Sequence, residues 1–393
     1  MPVSELNLKV NISVGNEYLQ DNGQTQLMFV FWGIIIPIIG VIGFIGNLLT
    51  IIVLFRIEMK STTMYFLRVL VVTDTGIIIG CILGLSIISI TQLYPQNPEM
   101  HYFTHVIYPY MYTPVNYIVM TLQFINVWVT VAVSIERYIA ICHPFKAVHV
   151  CNKRNAFILI GSISFIAIVY NIPRCFAISV TPCIENTIDC FTIVTTIFGK
   201  TEGYEQYYAV YAYMVIIYII PLVLLGILNT LLIIELMRMR RRRSESTSTI
   251  LPTPKENSET NMSIVLFLIV VVFILCQTPG LVAQFWFLGQ NVLTKWICVS
   301  NTLFELNSSV NFLIYTAVGR KFRKVLFKTF KFLCKRPVNP CKAMCSHSGT
   351  QMKTFSTRTA YYSDDELDGT CTLKSARCLL IKDDDARDVL ERQ

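Results

Sequence analysis

The sequence has few charged residues for its length. Only 15% of its 393 residues are Asp, Glu, Lys or Arg, whereas about 25% is usual in a soluble globular protein. The mean hydropathy is +0.54. A chain with so little charge cannot cover a surface of this size with polar groups, so an ordinary soluble protein is excluded and much of the surface is expected to face lipid.

The sequence also lacks the cysteine and histidine patterns of several protein classes. Its 13 cysteines include no CxxC pair and no even framework spacing, which excludes a disulfide-rich scaffold and argues against a zinc site. The five histidines all lie outside the apolar runs, and no nucleophile and base pair up within those runs, so no enzymatic function is expected. Residues 1–26 are polar, and no cleavable signal peptide is predicted.

Long apolar runs make up most of the sequence between residues 27 and 318. A membrane span needs roughly 20 mainly apolar residues, and none of the runs has the alternation of a barrel strand. The sequence therefore predicts an all-α membrane protein with a seven-transmembrane-helix bundle over 27–318. The runs are Leu27–Phe55, Met64–Tyr94, Val106–Ile141, Phe157–Val180, Tyr207–Met237, Ser263–Gly289 and Thr294–Val318.

Basic residues predict the orientation of the bundle. Lys and Arg concentrate at or just after the ends of the first, third, fifth and seventh runs, for example at Arg56, Arg137 and 238–243, whereas acidic residues prevail on the other side. Because cytoplasmic loops carry the excess of Lys and Arg, the N-terminal segment 1–26 is expected outside and the C-terminus inside. Asn11 begins an Asn-Ile-Ser sequon in that outer segment, so it is a candidate glycosylation site.

The residues after the seventh run predict an eighth helix. Over 319–333, Phe322, Leu326, Phe327 and Phe330 recur at helical spacing among lysines, as in a basic amphipathic helix on the inner leaflet. Cys334 follows and could be palmitoylated or remain a free thiol. Residues 334–393 are rich in Ser, Thr and Asp and are expected to form a disordered cytoplasmic tail.

Polar residues inside the runs are candidates for function, because polar groups are costly in lipid. Asp74 must be neutral, paired or bound to a cation there, and sodium or a proton would suit ligation by oxygen atoms alone. Glu305 could receive a cationic ligand group or could be protonated or paired within the bundle. The side chains expected to form a polar core with Asp74 are Asn47, Asn126, Asn307, Ser308 and Asn311.

The third run ends on Glu136-Arg137-Tyr138, which places an acid and an arginine side by side at the foot of an apolar helix. With the predicted orientation, this pair lies on the cytoplasmic side beside Arg-rich loops. We interpret it as the inner end of a switch rather than a catalytic or ion-conducting site.

These motifs, in this order, resemble those of rhodopsin-like (class A) G protein-coupled receptors. The resemblance covers 27–333 and also rests on Pro221, Pro279, and Asn311 with Tyr315. It implies that Arg137 pairs with Glu136 at rest and turns to a heterotrimeric G protein on activation. It further implies a sodium-linked core at Asp74 and Asn311, a role for Tyr315 in the active state, residence in the plasma membrane, and possible arrestin and receptor-kinase partners.

The departures from that family pattern are informative. No cysteine occurs between Cys81 and Cys142, so the family's bridge from helix three to the second outer loop is expected to be absent. Cys183 and Cys190 both lie in that loop and are expected to bridge each other instead. Gln277 replaces the usual tryptophan of helix six, Phe312 the usual proline of helix seven, and Asn229 the usual tyrosine of helix five.

The segments YNIPR (170–174), VIYPYMYTP (106–114), FILCQTPG (273–280) and NSSVNFLIYTAVGRKFRK (307–324) are similar to those of invertebrate FMRFamide-type neuropeptide receptors. This resemblance implies a short amidated peptide ending in Arg-Phe-amide. Glu305 is then the first candidate partner of the peptide arginine, with Glu185 and Asp189 as alternatives. The amide-capped aromatic end is expected among Tyr110, Gln123, Gln284 and Phe285.

Proteins with other functions would show different sequence features. A biogenic-amine receptor would place an aspartate where this chain has Val119. A receptor for another ligand class stays open. A transporter would show paired repeats or several charged mid-span residues, but only Asp74 and Glu305 occur here. No nucleic-acid partner is expected.

Overall fold

The computed structural model describes residues 22–56, 61–94, 96–183, 190–245, 254–284 and 290–334. Asn11, Glu185, Asp189, Phe285 and the tail beyond Cys334 lie outside the described residues, so their predicted roles stay predictions.

Within those residues the chain forms seven long helices and a shorter eighth, which confirms the all-α seven-helix prediction. Helices α1, α2, α3 and α5 each contain π-helical turns in the half of the bundle that also carries the β-hairpin. The helices are α1 (Gly23–Leu54), α2 (Thr62–Thr91), α3 (Pro98–Cys142), α4 (Lys153–Phe176), α5 (Gly203–Met239, continuing to Glu245), α6 (Pro254–Val282), α7 (Gln290–Val318) and α8 (Arg320–Cys334).

Six of these helices, α1 to α6, are long and apolar enough within the described residues to cross a membrane. Helix α7 has 29 residues, which is long enough, but it is less apolar than the others. The polar residues Asn301, Glu305 and Asn311 lie along it. Its neighbours in the bundle are α1, α2 and α6, which pack against it.

Two helix boundaries differ from those expected from apolarity. Helix α3 begins at Pro98 rather than Val106, because the Asn97 side chain accepts hydrogen bonds from the backbone N–H groups of Glu99 and Met100 and so caps the helix. Helix α4 ends at Phe176 rather than Val180. A continuous apolar run cannot distinguish a helix from the strand that follows it.

That strand belongs to a β-hairpin between α4 and α5. Strands β1 (Ile178–Pro182) and β2 (Phe191–Thr195) pair antiparallel, with Val180 opposite Ile193. A disulfide joins Cys183 to Cys190 and closes the hairpin, so the structure contains the expected pairing. We call this end of the bundle the hairpin end and the opposite end the Arg137 end.

Apolar packing holds the hairpin against α3. Ile193 is buried with Tyr108 and Tyr112 of α3, and the Tyr110 ring meets the Phe191 ring edge-on at 5.2 Å. These contacts hold the start of α3 against the hairpin. Helix three has no cysteine there that could form a disulfide to this loop. Aromatic burial of this kind contributes about 0.5–1.5 kcal/mol per ring pair beyond the area buried.

Glycines bring α1 and α7 into close contact. Gly40, Gly43 and Gly46 are spaced three residues apart on one face of α1. A Cβ atom on Gly40 would lie 3.0 Å from Glu305 Oε1, and one on Gly43 would lie 2.2 Å from Ser309 Oγ. A Cβ atom on Gly46 would lie 2.8 Å from Phe312 Cβ. Small residues spaced in this way let two backbones approach within the membrane, where no hydrophobic effect drives helices together.

Helix α8 follows α7 after Gly319. Arg323 of α8 donates hydrogen bonds to the carbonyl oxygens of Thr316 (2.9 Å) and Ala317 (2.5 Å) and so caps the end of α7. Phe322 is buried against Tyr315, with ring centroids 5.4 Å apart, whereas 69% of Phe327 is exposed. The exposed face suits the predicted membrane surface, and its contact with lipid remains a prediction.

Candidate functional site

A cavity opens between α2, α3, α5, α6 and α7 near the hairpin end, with about 790 Å³ of empty space that includes the part open to solvent. Ligand sites are typically concavities with apolar walls and a few polar groups. None of the described residues that line the cavity carries a charge. Its walls include aromatic and aliphatic side chains, and its polar groups are Asn116, Gln123, Tyr213, Tyr218, Gln277, Ser300 and Asn301.

Gln123 organises one polar end of the cavity. The Tyr213 hydroxyl donates a hydrogen bond of 2.8 Å to Gln123 Oε1, and the Tyr218 side chain interacts with both residues. All three side chains are buried. These contacts hold the Gln123 carboxamide, with Tyr213 and Tyr218, at this corner of the cavity, which all three residues line.

Arg174 of α4 supports this corner from behind. Its guanidinium carbon lies 5.1 Å from the Tyr213 ring centroid and 5.6 Å from that of Tyr208, and its Nε donates to Asn171 Oδ1 at 3.0 Å. A cation over an aromatic face is attracted by the ring, and more strongly where water is absent. Arg174 is only 3% exposed and does not line the cavity, so it holds Tyr213 in place rather than presenting a charge to a ligand.

The structure brings only part of the predicted ligand set to the cavity. Gln123 lines the cavity. Gln284 is buried but does not line it, and Tyr110, which packs against the hairpin, is 56% exposed. The residues that sequence reasoning missed are Tyr112, Asn116, Tyr213 and Asn301. Asn116 and Gln123 are seven residues apart and share a face of α3, a spacing that could have paired them.

Glu305 does not line the cavity. Its side chain is fully buried beside Gly40 of α1 and Cys81 of α2, and neither carboxyl oxygen has a hydrogen bond of ordinary geometry within the described residues. Cys81 stands between this carboxyl group and the cavity, which it lines. The geometry therefore does not support direct contact between Glu305 and a ligand arginine, and points to the alternative of a carboxyl group buried within the bundle.

Asp74 lies at the centre of a buried polar core. Its Oδ1 accepts from Asn126 Nδ2 at 2.8 Å and its Oδ2 accepts from Asn311 Nδ2 at 2.7 Å. The Ser308 side chain lies beside the carboxylate, and its hydroxyl makes no hydrogen bond of ordinary geometry in the described residues. Carboxylate and hydroxyl oxygens are ligands that suit a hard monovalent cation, so the residues present fit sodium.

Two further residues predicted for this core, Asn47 and Asn307, are not among the hydrogen-bond partners of Asp74 in the described residues. Asn47 donates to the backbone carbonyl oxygen of Ser308 at 3.1 Å and so links α1 to α7. Asn307 is buried, but the hydrogen bonds to Asp74 in the described residues do not include it.

At the Arg137 end, Glu136 is bound by two donor residues. Arg137 donates through Nε and Nη2 to the two Glu136 carboxyl oxygens, each at 2.7 Å, and the buried Thr63 hydroxyl donates to Oε2 at 3.0 Å. A bidentate arginine–carboxylate pair is geometrically specific, and its hydrogen bonds are stronger than neutral ones. Arg137 is thus held by its neighbour in sequence, and the role of this pair as a switch stays a prediction.

The remaining switch residues are spread around this end. The Tyr138 ring meets His143 edge-on at 5.7 Å. Tyr315 is buried, and its hydroxyl has no hydrogen-bond partner among the described residues. Asn229, which replaces the family's tyrosine, donates to the carbonyl oxygen of Leu225 in its own helix at 2.8 Å.

Comparisons with known proteins show the family of the chain. The profile of the "7 transmembrane receptor (rhodopsin family)" matches residues 46–315. The chain is 31% identical over 81% of its length to the FMRFamide receptor of Drosophila melanogaster, of which the match spans 56%.

For two other relatives, the match covers a larger share of the relative's own length. The chain is 27% identical to the probable G-protein coupled receptor frpr-1 of Caenorhabditis elegans, over 77% of this chain and 79% of that protein. It is 26% identical to mouse neuromedin-U receptor 2, over 77% and 75% respectively. The chain therefore belongs to the rhodopsin family of seven-transmembrane receptors and is similar to FMRFamide receptors.

Proposed function

We propose that the protein is a receptor for a short amidated neuropeptide ending in Arg-Phe-amide. The observation that carries the proposal is a cavity with aromatic and aliphatic walls that, among the described residues, is lined by carboxamide and hydroxyl groups and by no charged side chain. The names of its relatives, which include an FMRFamide receptor and a neuromedin-U receptor, support a peptide ligand.

The chemistry of the cavity selects which end of such a peptide enters. A phenylalanine amide is neutral, and its carboxamide can exchange hydrogen bonds with the Gln123 corner while the ring contacts the apolar walls. A free carboxylate or a guanidinium would lose its hydration there without an opposite charge among the described lining residues, at a cost of several kcal/mol. We therefore propose that the peptide arginine lies nearer the hairpin end, outside this cavity.

A screen of short peptides on cells that express the receptor tests this proposal. We expect amidated Arg-Phe peptides to evoke a calcium or cAMP response, and their free-acid counterparts to require at least 100-fold higher concentrations, which corresponds to about 2.7 kcal/mol. Absence of a response to every amidated peptide, with normal surface expression, would contradict the ligand class and leave the receptor family unaffected.

The same proposal includes the signalling partner and the orientation. The protein would lie in the plasma membrane with its N-terminus outside, and the Arg137 end would face a heterotrimeric G protein. The basic residues at 238–243 and 320–324 support this orientation. Arrestin and receptor kinases are proposed partners of the Ser- and Thr-rich tail, because added phosphates would give it negative charge.

Replacing Thr63 by valine is expected to raise signalling in the absence of agonist. The substitution keeps the side-chain volume but removes one of the hydrogen bonds that Glu136 accepts, so less free energy is needed to release Arg137. A hydrogen bond to a charged group is worth about 1.5–3 kcal/mol, so we expect basal G protein activation to rise about 10-fold or more.

Thr62→Val is the matched control for that experiment. The Thr62 hydroxyl donates to the backbone carbonyl oxygen of Cys151 at 3.0 Å and not to Glu136. Equal basal activity in the two variants, after correction for surface expression, would show that the Thr63 hydrogen bond does not restrain the switch.

Asp74→Asn tests the cation site in the polar core. In membranes of the wild-type receptor, replacing choline chloride by sodium chloride is expected to weaken agonist binding by about 5-fold or more, because the cation and the agonist would favour different states. The asparagine variant should show no such dependence, since it lacks the carboxylate. A wild-type affinity independent of sodium would refute the site.

A further inference from the structure

Two histidines lie side by side where α3 begins. His101 and His105 are four residues apart, a spacing that places side chains on the same face of a helix. Their ring centroids are 4.3 Å apart and the ring planes are tilted by 41°. The receptor activity proposed above involves neither residue.

We propose that His101 and His105 form a binding site for a divalent transition metal, such as Zn²⁺ or Cu²⁺, at the hairpin end of the receptor. Zinc–nitrogen bonds are about 2.0–2.1 Å long, so two nitrogens that share one tetrahedral ion lie about 3.3 Å apart. Rings already 4.3 Å apart reach that arrangement by rotation of their side chains, without movement of the helix.

The surroundings of His105 favour the tautomer in which Nδ1 carries the hydrogen and Nε2 is free to bind a metal. Its Nδ1 lies 3.6 Å from the sulfur of Cys190, which is in the disulfide and carries no hydrogen. In that contact Nδ1 must be the donor, which leaves the lone pair of Nε2 for a metal ion. A partner at one ring nitrogen commonly orients a histidine ligand in this way.

The pair is accessible to ions from water. Helix α3 has 45 residues and is about 68 Å long, more than twice the hydrocarbon thickness of about 30 Å, so its ends extend beyond the lipid core. The His101 side chain is exposed and that of His105 is half-buried. An ion could therefore bind His101 from solvent and reach His105 with it.

The ligands also define the class of ion. Imidazole nitrogens prefer zinc, copper and nickel, whereas magnesium and calcium prefer oxygen ligands. Among the described residues no group of three His, Cys, Asp or Glu side chains could hold a metal, so the described part of this site offers two protein ligands, and water can complete the coordination. Such a site binds reversibly and suits a modulatory ion rather than a permanent structural one.

Thermal unfolding of the purified full-length receptor tests the proposal. Zn²⁺ is expected to raise the Tm of the wild type by about 2 °C or more at saturation, because an ion that binds only the folded state stabilises it. Mg²⁺ should give no shift, and EDTA should reverse that of zinc. His101→Asn and His105→Asn should each lose the same part of the zinc shift, since both ligands are needed to chelate one ion.

His143→Asn and His149→Asn are matched controls, because both residues lie near the Arg137 end, and they should keep the full shift. The tail cysteines are present in every variant, so zinc bound there contributes equally to all. A zinc shift that is absent from the wild type, or that either His101→Asn or His105→Asn retains in full, would overturn the proposal. The agonist response without added metal is measured separately, so failure of this site is distinguishable from failure of the proposed receptor function.

Discussion

Replacing Gln123 by leucine is expected to raise the EC50 for an amidated Arg-Phe peptide about 10- to 100-fold. The substitution preserves the approximate side-chain volume but removes the carboxamide that faces the ligand, and a lost hydrogen bond with an unsatisfied partner costs about 1–3 kcal/mol. The response to the free-acid peptide should change much less, because the acid cannot use this corner well in the wild type. Concentration–response curves for both peptides measure the difference.

Loss of Gln123 also leaves the buried Tyr213 hydroxyl without its acceptor, and a second variant separates this effect from ligand binding. In the double variant with Gln123→Leu and Tyr213→Phe, both partners of the hydrogen bond are removed, which is far less costly for the fold. Its thermal stability should recover while the potency of the amidated peptide stays low.

Val115→Ala is the control within the same cavity, since Val115 lines it without a polar group, and we expect a change of only a few-fold. Wild-type potency of the amidated peptide on the double variant would mean that Gln123 does not recognise the amide.

Replacing Gly43 by alanine is expected to cause a large loss of stability and surface expression. Its Cβ would lie 2.2 Å from Ser309 Oγ and 2.8 Å from Ser309 Cα, so a side-chain rotation alone cannot relieve the overlap and the backbones of α1 and α7 must separate. Overpacking of a close interface costs about 1–3 kcal/mol, and more where the backbone moves. The Tm of the purified receptor measures the loss.

Gly161→Ala and Gly226→Ala are matched controls in α4 and α5. A Cβ at either position meets nothing within 4 Å, and alanine is the better helix former, so both variants should be at least as stable as the wild type. Adding Ser309→Gly to Gly43→Ala should restore stability only in part, because the Ser309 Cα remains. Gly43→Ala with wild-type stability would contradict the close packing of α1 and α7.

The candidate site was only partly predictable from the chain. The Arg137–Glu136 pair joins adjacent residues, so the sequence could place both partners, and Asp74 stood out as a carboxylate in an apolar run. Glu305 stood out for the same reason, but burial at the contact of α1, α2 and α7 keeps it from the cavity. Nothing in the sequence indicated that Arg174 packs behind Tyr213, because that contact joins α4 to α5.

By itself the sequence determined the seven-helix architecture and the family, because these depend on apolarity over about 20 residues and on motifs in a fixed order. Only the tertiary structure decided which polar residues surround Asp74, the Gln123 corner of the cavity, the hairpin that holds the start of α3, and the histidine pair beside it. Each depends on which face of a helix meets which neighbour. A change of one residue in helical phase turns a side chain by about 100°, and apolarity all around a membrane helix does not specify that phase.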